Sequence, residues 1–142
     1  MTAYDFFVSP LGILTLEEQD GALSALRFGK QILPGKDQKQ TLLLKDTRKQ
    51  LEQYFAGERK TFDLPLHLDG TPFSEKVWQT LLAVPYGSVV SYKQIAEIIG
   101  HPKAYRAVGT ANHNNPIAII VPCHRVIAAN GALGGYGAGL SA

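Results

Sequence analysis

One short stretch, Pro122-Cys123-His124-Arg125-Val126-Ile127, carries the only cysteine of the 142-residue chain, with an imidazole and a guanidinium directly after it. The thiolate is the nucleophilic form of cysteine, and basic neighbours favour it, so this order of residues points to a reactive thiol at Cys123. The alternative is a small core hydrophobe, because free cysteine is among the most buried residue types. The apolar run from Ile117 to Val121 predicts a buried strand leading into the thiol, and a glycine-rich segment from Gly131 to Gly139 follows it.

The elements that must hold such a thiol are those of an ordinary globular chain. Apolar residues make up 45% and charged residues 18%, which argues against disorder and fibrous repeats. No apolar run approaches the roughly 20 residues of a membrane span. The start, Met1-Thr2-Ala3-Tyr4-Asp5, has no signal-peptide pattern, so a cytoplasmic location with a reduced thiol is expected. One cysteine and four scattered histidines, at 67, 101, 113 and 124, give no metal-ligand pattern. The net charge of +2 is unevenly spread: residues 1–70 carry nine Lys and Arg against ten Asp and Glu, whereas residues 71–142 carry five against two. A modest attraction of the second half to phosphate is therefore allowed.

The pattern predicts two lobes, 1–70 and 71–142. In the first, Tyr4 to Val8, Ile13 to Glu17 and Ala22 to Phe28, punctuated by Ser9-Pro10-Leu11-Gly12 and Gln19-Asp20-Gly21, predict an antiparallel meander. Thr41 to Phe55 predicts an amphipathic helix with Leu42, Leu43, Leu44, Leu51, Tyr54 and Phe55 on its apolar face, closed by Gly57. Alternation from Phe62 to Leu68 predicts one further strand, with His67 on its surface. In the second lobe Phe73, Val77, Trp78, Leu81 and Leu82 recur at helical spacing until Pro85-Tyr86-Gly87. Ser91 with Gln94 three residues later forms a capping box that opens a helix from Tyr92 to Ile99. A third helix, Ala104 to Asn112, follows the turn His101-Pro102-Lys103, and Asn114-Asn115-Pro116 ends it.

Two short helices joined by a tight turn are a helix-turn-helix pattern, whose second member would be the recognition helix. Its surface is made of small residues, Ala107, Gly109 and Ala111, with one long cation, Arg106. Small residues permit close approach to a nucleic-acid backbone, and a single arginine can enter a minor groove or fill a gap in a base stack. Arg106 is otherwise read as a solvated surface charge.

The string Pro122-Cys123-His124-Arg125-Val126, preceded by Asn115-Pro116 and by Arg106-Ala107-Val108-Gly109, resembles the O6-alkylguanine-DNA alkyltransferases, or methylated-DNA-protein-cysteine methyltransferases. The resemblance is close from about Phe73 to Leu140, and the first lobe is similar in layout to the family's ribonuclease-H-like domain. It implies an α+β fold: a small antiparallel sheet plus helix, then a mostly helical domain with a helix-turn-helix and an active-site cysteine loop. It implies irreversible single-turnover transfer of an alkyl group from O6 of guanine, or O4 of thymine, to the protein's own cysteine. It also implies double-stranded DNA bound through the minor groove, base flipping, no cofactor, no membrane and a monomer.

Residue by residue, Cys123 resembles the acceptor thiol and His124 the base that drains its proton through a water. Asn115 resembles the asparagine linking the recognition helix to the cysteine loop, and an Asx turn before Pro116 is compatible with that. Tyr92 resembles the tyrosine that crowds the target phosphate and hydrogen-bonds the flipped guanine, and Arg106 the finger that replaces the extruded base. Ala107 and Gly109 fall on the DNA-facing helix. Asn112, Val126, Tyr136 and Gly137 fall in the substrate pocket, with the carbonyls of Cys123 and Val126 accepting from the guanine amine. Arg125 is read as a structural residue of the motif.

Members of the family usually continue into a helix bearing a lysine near the pocket and a glutamate that completes the Cys-His-water relay. The chain ends at Ala142, before that helix, so no glutamate partner for His124 is expected from it. Gly137 stands where some relatives have serine, and the zinc site of some relatives is not expected. Two other readings compete: a damage sensor that binds alkylated bases without chemistry, and a plain helix-turn-helix regulator.

Overall fold

The computed structural model describes residues 2–127. The chain divides into two compact units, the first ending at Leu68 and the second beginning at Asp69.

The first unit is a sheet with one helix against it. Strands β1 (Thr2–Ser9), β2 (Gly12–Gln19) and β3 (Ala22–Phe28) form the expected antiparallel meander. Asp20 and Gly21, at φ 49° and 86°, make the two-residue turn between β2 and β3, a backbone path that Asp-Gly adopts at little cost. A fourth strand, β4 (Asp37–Gln38), pairs parallel to β1, so the sheet is mixed, in the order β3-β2-β1-β4. Asp37 and Gln38 are both exposed and polar, and two such residues carry no periodic signal.

Helix α1 (Leu42–Phe55) is opened by Thr41, whose hydroxyl accepts from the Leu44 amide. Its buried face is Leu44, Thr47, Gln50 and Leu51, whereas Leu42, expected on that face, is exposed at the first turn. Gln50 is buried because it acts as a backbone clamp: its amide donates to the Asp63 carbonyl at 3.0 Å and accepts from the Asp63 N–H at 2.9 Å. The strand expected over Phe62 to Leu68 is reduced to a single bridge, Leu66 against Leu23, flanked by Leu23 N–H to Pro65 at 2.8 Å and His67 N–H to Leu23 at 2.8 Å. Pro65 has no N–H to extend the ladder.

The second unit is helical. Helix α2 (Pro72–Leu82) starts at Thr71, which caps the Ser74 amide, with proline at the first helical position. Its Val77, Trp78 and Leu81 are buried. Gly70 lets the indole in: a Cβ there would sit 2.6 Å from the Trp78 ring. Strand β5 (Val90–Ser91) leads into α3 (Tyr92–Ile98) through the expected capping box, and α4 (Tyr105–His113) follows. Ile95, Ala96, Val108 and Ala111 are buried where these helices pack. The Trp78 indole N–H donates to the Ala111 carbonyl at 2.9 Å, pinning α2 to the last turn of α4. Among the described residues no helix is long and apolar enough to cross a membrane.

Candidate functional site

Cys123 is not delivered by a strand. Ile117 to Val121 is buried as expected, but it forms a compact turn in which Ile119 takes φ 72°. That conformation is costly for a β-branched residue, which the surrounding structure must over-determine. The bonds that do so are local: Val121 N–H to Ile117 at 3.0 Å and Ile120 N–H to Ala118 at 2.8 Å. Asn115 adds two more, its amide donating to the Val121 carbonyl at 2.7 Å and accepting from the Ile117 N–H at 3.0 Å. Asn115 thus makes the Asx turn and also ties the end of α4 to the residues before the thiol. An apolar run of five residues reads as a strand until a polar side chain beside it supplies the hydrogen bonds a ladder would have supplied.

The thiol sits in a 3-10 turn, Cys123–Arg125, and the chain leaves it as β6 (Val126–Ile127), which pairs parallel with β5. This pairing sets Val126 beside Val90 and Ile127 beside Ser91, the N-cap of α3. The helix-turn-helix and the cysteine turn are therefore joined twice, by β5–β6 at the start of α3 and by Asn115 at the end of α4. Neither join has a sequence signature, because strands of two residues are too short for periodicity.

Cys123 is 4% exposed. Burial pushes its thiol above the ordinary value, and the Asn115 side chain and the cysteine's own backbone hydrogen bond draw it part of the way back. His124 is held down to about 4, first by burial and then by the charge of Arg125. Near neutral pH the site thus rests as a thiol beside a neutral imidazole. The expectation that basic neighbours favour the thiolate is corrected here: desolvation outweighs them, and His124 offers an uncharged base rather than a positive charge. Arg125 is turned to structure, donating to the Val84 carbonyl at 2.8 Å and lying 5.6 Å from the Tyr86 ring centre.

Asn112 is fully buried on α4, with its amide N–H 3.4 Å from the Cys123 carbonyl and its Oδ1 without a hydrogen-bond partner among the described residues. It also acts on Tyr92: burial pushes that phenol up, the Asn112 amide draws it back, and Cys123 pushes it up further. Tyr92, Asn112, Asn115, Cys123, His124 and Val126 are therefore gathered at one place. The Tyr92 ring also lies under α4, 3.9 Å from where a Cβ on Gly109 would stand.

Arg106 and Ala107 are exposed on the outer surface of α4. Tyr136 and Gly137 lie outside the described residues. The structural reading of Arg125 agrees with its bond to Val84, whereas sequence reasoning missed Asn112 as the neighbour of Tyr92 and the anchoring by Trp78. The latter had a signal, since a tryptophan on a buried helix face must find an acceptor for its indole N–H. No group of three or more His, Cys, Asp or Glu side chains is placed to hold a metal among the described residues.

Comparison with known proteins covers both units. Residues 2–68 match the 6-O-methylguanine DNA methyltransferase ribonuclease-like domain, and residues 72–142 the DNA binding domain of the same family. A constitutive methylated-DNA--protein-cysteine methyltransferase of Bacillus subtilis is 46% identical, over 96% of this chain and 87% of its own length. One from Methanosarcina acetivorans is 48% identical, over 96% and 90%. Among solved structures, Mycobacterium tuberculosis O6-methylguanine methyltransferase superimposes with a TM-score of 0.87 at 47% identity, over 96% of this chain and 85% of that one. Mycobacterium tuberculosis OGT in complex with DNA superimposes with a TM-score of 0.86 at 48% identity, over 95% and 84%. The chain belongs to the 6-O-methylguanine DNA methyltransferase family.

Proposed function

We propose that the chain repairs DNA by direct reversal, moving the alkyl group from O6 of a guanine in duplex DNA to the Cys123 sulfur, once per molecule. The observation that carries this reading is the lone buried thiol in its braced turn, with a neutral imidazole next to it. A thiolate cannot reach a base inside a duplex, so the nucleotide must leave the stack. Arg106, at the surface of α4, takes its place, and the small residues Ala107 and Gly109 let the helix lie close in the minor groove.

In the pocket the Cys123 proton passes through water to His124. The sulfur then attacks the alkyl carbon in line, the C–S bond forms as the C–O bond breaks, and the guanine oxygen leaves with the electron pair. Tyr92, positioned by Asn112, donates a hydrogen bond to the departing base, while the Cys123 and Val126 carbonyls accept from its amine. Tyr136 and Gly137 complete the pocket in this reading. No cofactor enters the step, no second subunit is needed, and the protein works as a monomer inside the cell.

The test is the intact mass of the protein before and after incubation with an O6-methylguanine duplex. A gain of one methylene, about 14 Da, that stops at one per molecule and vanishes in Cys123→Ser supports the reading. Tight lesion-dependent binding with no mass gain replaces it with a damage sensor, and binding indifferent to alkylation replaces it with a sequence-reading regulator.

A further inference from the structure

Positive charge in the second unit is concentrated on the helix-turn-helix: of five Lys and Arg between residues 71 and 142, three are Lys93, Lys103 and Arg106. Two of these meet on one ring. The Lys93 ammonium lies 5.5 Å from the centre of Tyr105, and the Arg106 guanidinium lies 6.0 Å from the same centre. The ring is 37% exposed at the start of α4, and Lys93 and Arg106 are both exposed. Neither cation has a carboxylate within ion-pair distance among the described residues, although Glu97 follows Lys93 one turn later on α3.

Two like charges gathered at one aromatic ring repel each other, and the ring quadrupole offsets that only in part. An anion between them relieves the repulsion. Tyr105 also brings a phenol hydroxyl, a donor of the kind that contacts backbone phosphates.

We propose that Lys93 and Tyr105 form a seat for one DNA backbone phosphate beside Arg106. In the free protein the Tyr105 ring holds Arg106 at the surface. A phosphate that settles on the Lys93 ammonium and the Tyr105 hydroxyl offsets the positive charge beside Arg106 and fixes where α4 lies on the backbone. The seat thus docks α4 on the backbone with Arg106 next to it. This rests on the reading of the second unit as a duplex binder.

The experiment measures binding of an unmodified duplex against salt concentration for the wild type, Lys93→Gln, Tyr105→Phe and Tyr105→Ala. Losing one phosphate contact lowers the slope of log K against log salt by about 0.9 and weakens binding roughly five-fold near physiological salt. The expected result is that loss in Lys93→Gln, a smaller loss in Tyr105→Phe, and a loss in Tyr105→Ala accompanied by slower methyl transfer from duplex. Transfer from the free base O6-methylguanine stays at the wild-type rate in all three variants. Variants that match the wild type in slope and affinity overturn the seat. A wild type that does not bind duplex at all defeats the duplex-binding reading itself, which is a separate outcome.

Discussion

The two units treat buried polar groups in opposite ways. In the first, successive glutamates on β2 are both about 5% exposed, brought inward by a register shift between Glu17 and Glu18. Glu17 accepts from Lys36 at 2.6 Å, Arg27 at 3.5 Å and the Ser24 hydroxyl at 3.0 Å. Burial raises its pKa, but these partners together bring it below the ordinary value. Glu18 accepts from the Thr41 hydroxyl, which caps α1. Each carboxylate of β2 is thus tied to a neighbouring segment, Glu17 to β3 and Lys36, and Glu18 to the cap of α1. In the second unit, Asn112 Oδ1 has no partner among the described residues, Ile119 is strained, and the buried thiol is held in its unreactive form. Broken local rules that cluster at one place are what a working site looks like when the rest of the chain obeys them.

The comparison is tested most sharply at Asn115. Replacing it with alanine leaves the Ile117 amide without its Asn115 acceptor and takes one of two donors from the Val121 carbonyl, which keeps the Cys123 N–H at 2.8 Å, at a cost of about 1–3 kcal/mol. Because the turn carrying the thiol then drifts, single-turnover methyl transfer falls roughly 100-fold. Rapid-quench transfer and urea melts read the two effects, and a variant that loses only stability would place Asn115 with the first unit's scaffold groups.

In the first unit, Lys36→Met leaves Glu17 with the more distant Arg27 and costs about 1–2 kcal/mol, since Lys36 is partly exposed. The transfer rate constant per folded molecule stays unchanged. A changed rate constant breaks the division between a scaffold unit and a chemical one.

The pH dependence separates them again. The folded state holds His124 near 4 against an ordinary 6.5, so the unfolded chain binds the extra proton first. Stability is full above about 6.5 and falls as the pH drops toward about 4. The whole shift is worth roughly 3 kcal/mol, and the half-buried ring, screened by solvent, reduces the expected loss to about 1–2 kcal/mol. Urea midpoints of wild type and His124→Gln across that window check it. Methyl transfer should instead rise with pH toward the raised thiol pKa.

The smallest effect has two signs. Among the described residues a Cβ on Gly109 meets only Tyr92 ring atoms, at 3.9–4.0 Å, so none of them requires glycine there. Gly109→Ala should stabilise the fold by about 0.5–1 kcal/mol, measured by thermal melts, while weakening duplex binding severalfold. A variant that is more stable and binds as well as the wild type would return Gly109 to the scaffold.

Much of this was legible in the chain. The meander, the four helices with the capping box of α3, the helix-turn-helix and the cysteine motif are encoded by neighbours within a few residues: Asp20-Gly21 for the hairpin, Ser91 with Gln94 for α3, the spacing of Val77, Trp78 and Leu81 for α2. The order of residues around Cys123 was enough to identify the family. Tertiary structure decided the rest. It turned Ile117 to Val121 from a strand into a strained turn, because Asn115 supplies bonds that no periodicity encodes. It paired β5 with β6 across a separation of more than 30 residues, and it set the Asn112 amide against the Cys123 carbonyl. It also set the resting charge of the site, since burial is a property of the packed unit and not of the residues adjacent in sequence.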